Sequence, residues 1–201
     1  MGEAEGAKLD ATAIVANVRA SYGNDGRVPL PDMTDWDIFP FEGELLVKPI
    51  DDPTVPEPAR HGESATGCNV CAAADDQYIW TSERWKLRAR TDTSLPAFLL
   101  EPREHLDLGD LDDSLAAEMG QLIVRVERAL AAVPGVARVH VNRWGDGAAH
   151  LHVWFFARPE GMLQLRGSCL PDWLDLLPML EQDVVQAVAR HVGAALRNAS
   201  G

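Results

Sequence analysis

The chain has 201 residues and a 46% hydrophobic content, enough for one sizeable core with appended elements. Acidic residues outnumber basic ones 31 to 18, a net charge of −13, which disfavours a DNA or RNA partner while leaving room for a small phosphate-bearing ligand at a local positive site. No segment approaches the roughly 18 uninterrupted apolar residues of a membrane span, and Met1–Gly6 lacks the basic start and apolar centre of a signal peptide; with Cys68 and Cys71 better explained by metal than by a disulfide, a reducing, cytoplasmic setting is expected.

In chain order, Ile14, Val15, Val18 and Tyr22 fall at helical spacings, so a short amphipathic helix is predicted from Ala11 to Ser21, ended by Gly23-Asn24-Asp25-Gly26. Asp35 to Phe41 alternates apolar and acidic residues, as a half-buried extended segment does, with Trp36, Phe39 and Phe41 expected to anchor it. Pro49, Pro53, Pro56 and Pro58 exclude a central strand or helix there. Residues 1–66 are therefore read as an N-terminal extension wrapped on a core.

Cys68-Asn69-Val70-Cys71 follows a loop-like run, His61 to Gly67, and no helical pattern clearly follows it. A metal loop is favoured over a redox pair, which belongs between a strand and a helix in a βαβ context. His61 is a rival ligand, but Arg60 and Gly62 around it indicate an exposed loop. Strands are predicted at Gln77–Ser82, Trp85–Arg90 and Pro96–Glu101, with Thr91 to Ser94 turning the chain. Arg84, Lys86, Arg88 and Arg90 are spaced by two on one strand face and are read as a solvated cationic stripe. Leu111-Asp112-Asp113-Ser114 opens a helix running to about Val133, with Leu115, Met119, Leu122, Ile123, Val126 and Leu130 as its apolar stripe; Pro134-Gly135 stops it.

Strands are again predicted at Arg138–Arg143 and Leu151–Ala157. In the run Ala149-His150-Leu151-His152-Val153-Trp154-Phe155-Phe156, period two places His150, His152 and Trp154 on one face, the histidines about 6.6–7 Å apart along the strand. Leu151, Val153 and Phe155 then face a core. After Gly161 to Leu170 comes a predicted helix, Leu180–Leu196, whose apolar stripe closes the core or joins a second subunit. Consecutive strands around one long helix indicate an α+β antiparallel sheet.

The Cys pair, Pro102-Arg103-Glu104-His105, the strand ending in Asn142, the glycine loop and His150-Leu151-His152 occur in an order that resembles the histidine-triad superfamily, particularly its galactose-1-phosphate uridylyltransferase branch. The resemblance spans Cys68 to Pro159, within a core of residues 67–160, with 161–201 as a C-terminal loop and helix of the same domain. It implies a histidine-triad-like α+β fold, a structural zinc held by Cys68, Cys71, His105 and His150, and His152 as nucleophile. Asn142, Arg143, Gly145, Gly147 and Trp154 become candidate substrate contacts for a nucleotide or nucleotide-sugar-like molecule, with backbone amides near the glycines as an anion nest. The implied activity is nucleotidyl hydrolysis or transfer, the alternative a nucleotide-binding or interaction protein without turnover, and a third reading an enzyme with changed chemistry. The family also implies a homodimer. Two departures stand out. Trp154 occupies the position of the third histidine, or of glutamine in the uridylyltransferase branch, and the loop from Asn142 to Ala149 lacks the Gln and Ser that triad hydrolases place before the first histidine.

Overall fold

The structure is a computed structural model that describes residues 9–198; Met1–Gly6, read above for targeting, lies outside them. The described residues divide into two compact units, the first ending at Pro58 and the second starting at Ala59. Within the first, helix α1 (Ala11–Ala20) starts where the Asp10 carboxylate accepts from the amides of Thr12 and Ala13, satisfying two of the donors a helix start leaves free. Arg19, in its last turn, bonds Asp52 at 2.7 Å and the Ile50 carbonyl at 3.0 Å, while Arg27 reaches the Val47 carbonyl at 2.6 Å. The expected extended segment at 35–41 is instead a 3₁₀ turn (Asp32–Asp35) followed by further turns. Trp36 and Phe41 are exposed, and Phe39 meets Phe41 edge-on, so alternation here reflects turn geometry rather than a strand. No regular element falls in the proline-rich stretch, as expected.

The second unit is built on a five-stranded antiparallel sheet in the order β1 (Trp80–Thr81), β2 (Trp85–Ala89), β3 (Ala97–Pro102), β5 (Val153–Pro159), β4 (Val136–Asn142). Period two sends Trp85, Leu87, Phe98, Leu100, Val153 and Phe155 to one face. Two helices cover that face: α3 (Asp113–Ala131), which contributes Leu122, Val126 and Leu130, and α5 (Gln182–Asn198), which contributes Val188, Val192 and Leu196. The α5 stripe thus closes the core. Gly193 lets it do so, because a Cβ there would stand 2.8 Å from the Ile79 carbonyl oxygen. Asp112 caps α3 by accepting from the Leu115 amide at 2.7 Å.

The opposite face carries a second, smaller cluster of Leu95, Ala97, Phe156, Leu165 and Leu170. The chain after β5 supplies its cover, through a 3₁₀ turn (Gly167–Cys169) and the short helix α4 (Leu170–Leu174), with Trp173, Leu174 and Leu177 packed against the cluster. Cys169 is a fully buried thiol at that junction. The cationic stripe is balanced by nearby acids, as expected, and departs from a solvated face at Lys86 and at Glu101, the partner of Arg88, which are buried. Lys86 is 4% exposed, donates to the Val70 carbonyl at 3.0 Å and stands over the Tyr78 ring, while Arg88 pairs with the buried Glu101. Arg84 bonds Glu118 and Arg90 bonds Asp92. Each cation has an acid or a carbonyl to answer it, which burial requires of Lys86 and of the Arg88–Glu101 pair.

Candidate metal centre and adjoining cleft

Cys68 caps and Cys71 lies within a single helical turn, α2 (Asn69–Ala72), where the sequence had suggested no helix; four residues carry too few apolar positions to show a period. The turn brings both sulfurs to one point. His105, three residues beyond the end of β3, and His150, before β5, meet them there, and the four ligand atoms lie within 4.8 Å of one another. Cys68 Sγ is 3.4 Å from His150 Nδ1, and Cys71 Sγ is 3.4 Å from His105 Nδ1 and 3.5 Å from His150 Nδ1. Zinc–sulfur bonds of about 2.3 Å and zinc–nitrogen bonds of about 2.0–2.1 Å at a tetrahedral angle would put S and N about 3.5 Å apart, so the spacing fits this metal.

The outer contacts agree. His150 is 1% exposed, and its Nε2 lies 2.9 Å from the Pro102 carbonyl oxygen. A carbonyl only accepts, so Nε2 carries the hydrogen and Nδ1 presents its lone pair to the sulfurs, the arrangement expected of a ligating histidine. Burial also pushes the His150 imidazole below its ordinary pKa, favouring the neutral form a metal needs. Lys86 steadies the turn between the cysteines through the Val70 carbonyl. His61 does not join the cluster: its backbone forms a parallel bridge to Ala148 instead.

The segment carrying both histidines is not regular strand, since β5 begins only at Val153. The expected side-by-side projection of His150 and His152 therefore does not follow from strand geometry. Leu151 donates to the Leu106 carbonyl at 2.7 Å and is buried, as expected, with Val153 and Phe155. His152 is half-buried, and its Nδ1 is 2.9 Å from the His150 carbonyl oxygen. By the same logic Nδ1 carries the hydrogen and Nε2 has the free lone pair. Trp154 follows edge-on, 6.3 Å from the His152 ring.

The candidate substrate contacts separate into two groups. Arg143, Gly145 and Gly147 belong to a network around Asp107. Its carboxylate accepts from Arg60 at 2.6 Å, from the Leu108 amide at 2.7 Å and from Arg143. Burial alone would raise this carboxyl, but those hydrogen bonds outweigh it and hold its pKa below the usual range. The Gly145 and Gly147 carbonyls accept from Arg60 and from the His61 amide. A Cβ at 145 would lie 2.0 Å from the Arg143 Nη1, so a side chain there would displace the guanidinium from this position.

Asn142 and Trp154 instead line a cleft on the sheet face opposite α3 and α5. One compartment, about 510 Å³, has Trp144, Trp154 and Phe156 on its sheet side and Pro171, Leu174 and Met179 opposite. A smaller one, about 200 Å³, is lined by His140, Asn142 and Ser168 and shares Trp144, Phe156, Pro171 and Leu174 with the first. The family resemblance implies a segment after β5 that borders the site, with Arg166 or Ser168 as contacts and Trp173 as cover, and Ser168 does line the cleft; Trp144, Phe156, Pro171, Leu174 and Met179 were not singled out. Phe156 was within reach, two residues after Trp154; the wall opposite the sheet, contributed by the five-residue α4 and the chain after it, is too short to carry a periodic signal.

No model of a known protein family matches the chain, and no curated protein matches it in sequence. Solved structures do match. A zinc-bound histidine triad family protein from Mycobacterium smegmatis superposes with a TM-score of 0.50 at 18% identity, over 68% of this chain and 99% of that one. A histidine triad protein from Sinorhizobium meliloti 1021 gives 0.50 at 18% identity, over 59% and 87%. One from Marinobacter aquaeolei VT8 gives 0.50 at 14%, over 60% and 88%. At such identities the likeness is one of architecture: the chain has the histidine-triad fold.

Proposed function

We propose that this protein is a zinc-stabilised nucleotidyl hydrolase or transferase that works through a covalent nucleotidyl-histidine on His152. The observation that carries the reading is the His152 ring itself: its Nδ1–H is spent on the His150 carbonyl at 2.9 Å, leaving Nε2 as the nitrogen to act as nucleophile beside the Cys68–Cys71–His105–His150 cluster. Those four residues would hold zinc, which when bound supplies folding free energy and fixes the chain before β5. In the first step Nε2 attacks the α-phosphorus, a P–N bond forms, and the bond to the leaving group breaks with its electron pair. Water or an acceptor phosphate then attacks phosphorus, and the P–N pair returns to Nε2. Nδ1 stays protonated throughout, and the His150 carbonyl steadies the charge on the imidazolium that forms.

Nucleotide binding without turnover is favoured by two observations. Trp154 has one N–H and no titratable proton with which to help a leaving group, and Arg143 is occupied by Asp107. A panel of nucleoside phosphoramidates, dinucleotide polyphosphates and sugar nucleotides separates the readings. Turnover of any class supports the enzyme; saturable binding with no turnover across the panel moves the assignment to the binding protein. Elemental analysis is expected to give about one zinc per chain, and folded, reduced protein without metal would reject the cluster as a zinc site.

A further inference from the structure

Lys86, on β2, is 4% exposed, and a buried ammonium is costly unless something answers its charge. Among the described residues no carboxylate comes within ion-pair distance of it. Glu101, its cross-strand partner, pairs with Arg88. Asp75 is held by Arg103 through two bonds, at 2.9 and 2.7 Å. What Lys86 does reach is the turn that carries the cysteines. Its Nζ donates to the carbonyl of Val70, the residue before Cys71, at 3.0 Å, and stands 4.4 Å from the centre of the Tyr78 ring. Its charge also acts on the Cys71 sulfur. The strand holds it there firmly, since Trp85 and Leu87 on either side are fully buried in the core.

From this we infer that Lys86 is a positioning residue of the metal centre: its ammonium holds the Cys68–Cys71 turn by the Val70 carbonyl and takes the two thiolates as its counter-charge. The inference rests on the metal part of the proposed function and is independent of the chemistry at His152. Two thiolates on one short turn repel each other, and a fixed cation beside them offsets that repulsion. The arginines nearby do not serve this purpose, because Arg88 and Arg103 each have a carboxylate of their own. Lys86 is the cation left over. It acts through the turn and through its field rather than by ligation, and outer contacts of this kind set metal affinity by roughly ten- to a hundredfold.

The test is the rate of metal release and needs no turnover. Zinc-loaded wild type, Lys86→Met, Lys86→Gln and Lys86→Arg are each mixed with an excess of a chromogenic chelator. Leu122→Ala, weakened elsewhere in the core, is run beside them. Lys86→Met keeps the stem alone, Lys86→Gln keeps an N–H donor without the charge, and Lys86→Arg keeps both. Excess zinc during preparation favours the folded form of every variant by mass action. Release is expected to be roughly ten- to a hundredfold faster in Lys86→Met and Lys86→Gln, and close to wild type in Lys86→Arg and Leu122→Ala. Cobalt-substituted protein gives a readout that a packing role does not move. Without the cation the sulfur lone pairs rise in energy, so the sulfur-to-cobalt charge-transfer band should move to longer wavelength in Lys86→Met and hold in Lys86→Arg. Wild-type release rates in Lys86→Met and Lys86→Gln, release from Lys86→Arg as fast as from Lys86→Met, or equal acceleration in Leu122→Ala would overturn the role. Wild type that holds no metal removes the zinc reading and this role together; metal held with unchanged release in the variants removes the role alone. The expected release pattern with no adduct on His152 removes the proposed chemistry and keeps the role.

Discussion

At the scale of single residues, two imidazoles two positions apart are given different work by two carbonyls. His150 Nε2–H bonds to Pro102 and turns Nδ1 to the cysteines; His152 Nδ1–H bonds to His150 and leaves Nε2 free. Cys68→Ser should therefore lower bound metal and loosen the fold, read by elemental analysis and thermal melting, whereas His152→Ala should keep about one metal per chain. Loss of metal in His152→Ala would contradict this division. Trp154→His restores a titratable group beside the nucleophile. General acid–base help of about a hundred- to ten-thousandfold is available to it, offset by loss of the aromatic wall, so hydrolysis of substrates with poor leaving groups should rise. The residues of the metal cluster were legible through the family resemblance, since the Cys-x-x-Cys spacing alone left a redox pair open and His61 as a rival ligand. The partners that set their tautomers were not, since a backbone carbonyl such as that of Pro102 leaves no mark in a sequence.

Among elements, those with a strong period were legible and those without were not. The α3 stripe from Leu115 to Leu130 has enough repeats for burial to select one face, while β3 and β5 read as apolar runs and are buried on both faces of the sheet. The 3₁₀ turn at Asp32–Asp35 and the four-residue α2 are too short to show a period, and the site depends on α2 for its sulfur geometry. The cationic stripe misled at Lys86 for a related reason: spacing reports a shared face and says nothing of what covers it, and here Tyr78, Glu101 and the Val70 carbonyl do. Leu122→Ala, at the α3–sheet contact, should cost about 2–5 kcal/mol in chemical denaturation. Asp112→Ala, removing only a helix cap, should cost about 1 kcal/mol. Equal effects from the two would place the stability of α3 in its cap rather than in its packing.

For the whole molecule, acid should destabilise the fold in two stages. His140 and His150 have folded pKa values pushed below the ordinary imidazole value by burial. The unfolded chain therefore takes up protons first, and stability is present above about pH 6.5 and falls as pH drops from there. Asp107, held below the usual carboxylate value, contributes stability above about pH 4 that is lost as pH falls further. A melting temperature that rises on acidification from neutral pH would contradict both. Among the described residues no helix is long and apolar enough to cross a membrane. A two-fold homodimer is the assembly proposed here; light scattering should give twice the mass of one chain, and a concentration-independent monomer would reject it.

The central claim is that His152 becomes covalently nucleotidylated while four other residues hold the metal. Its most direct measurement is intact-protein mass spectrometry after rapid acid-free quenching of wild type and His152→Ala, each mixed with a nucleoside phosphoramidate and with a dinucleotide polyphosphate. The account predicts one added nucleoside monophosphate on wild type, mapped by fragmentation to His152, and none on a folded, metal-loaded His152→Ala. An adduct on another residue, or one that persists in His152→Ala, would contradict it.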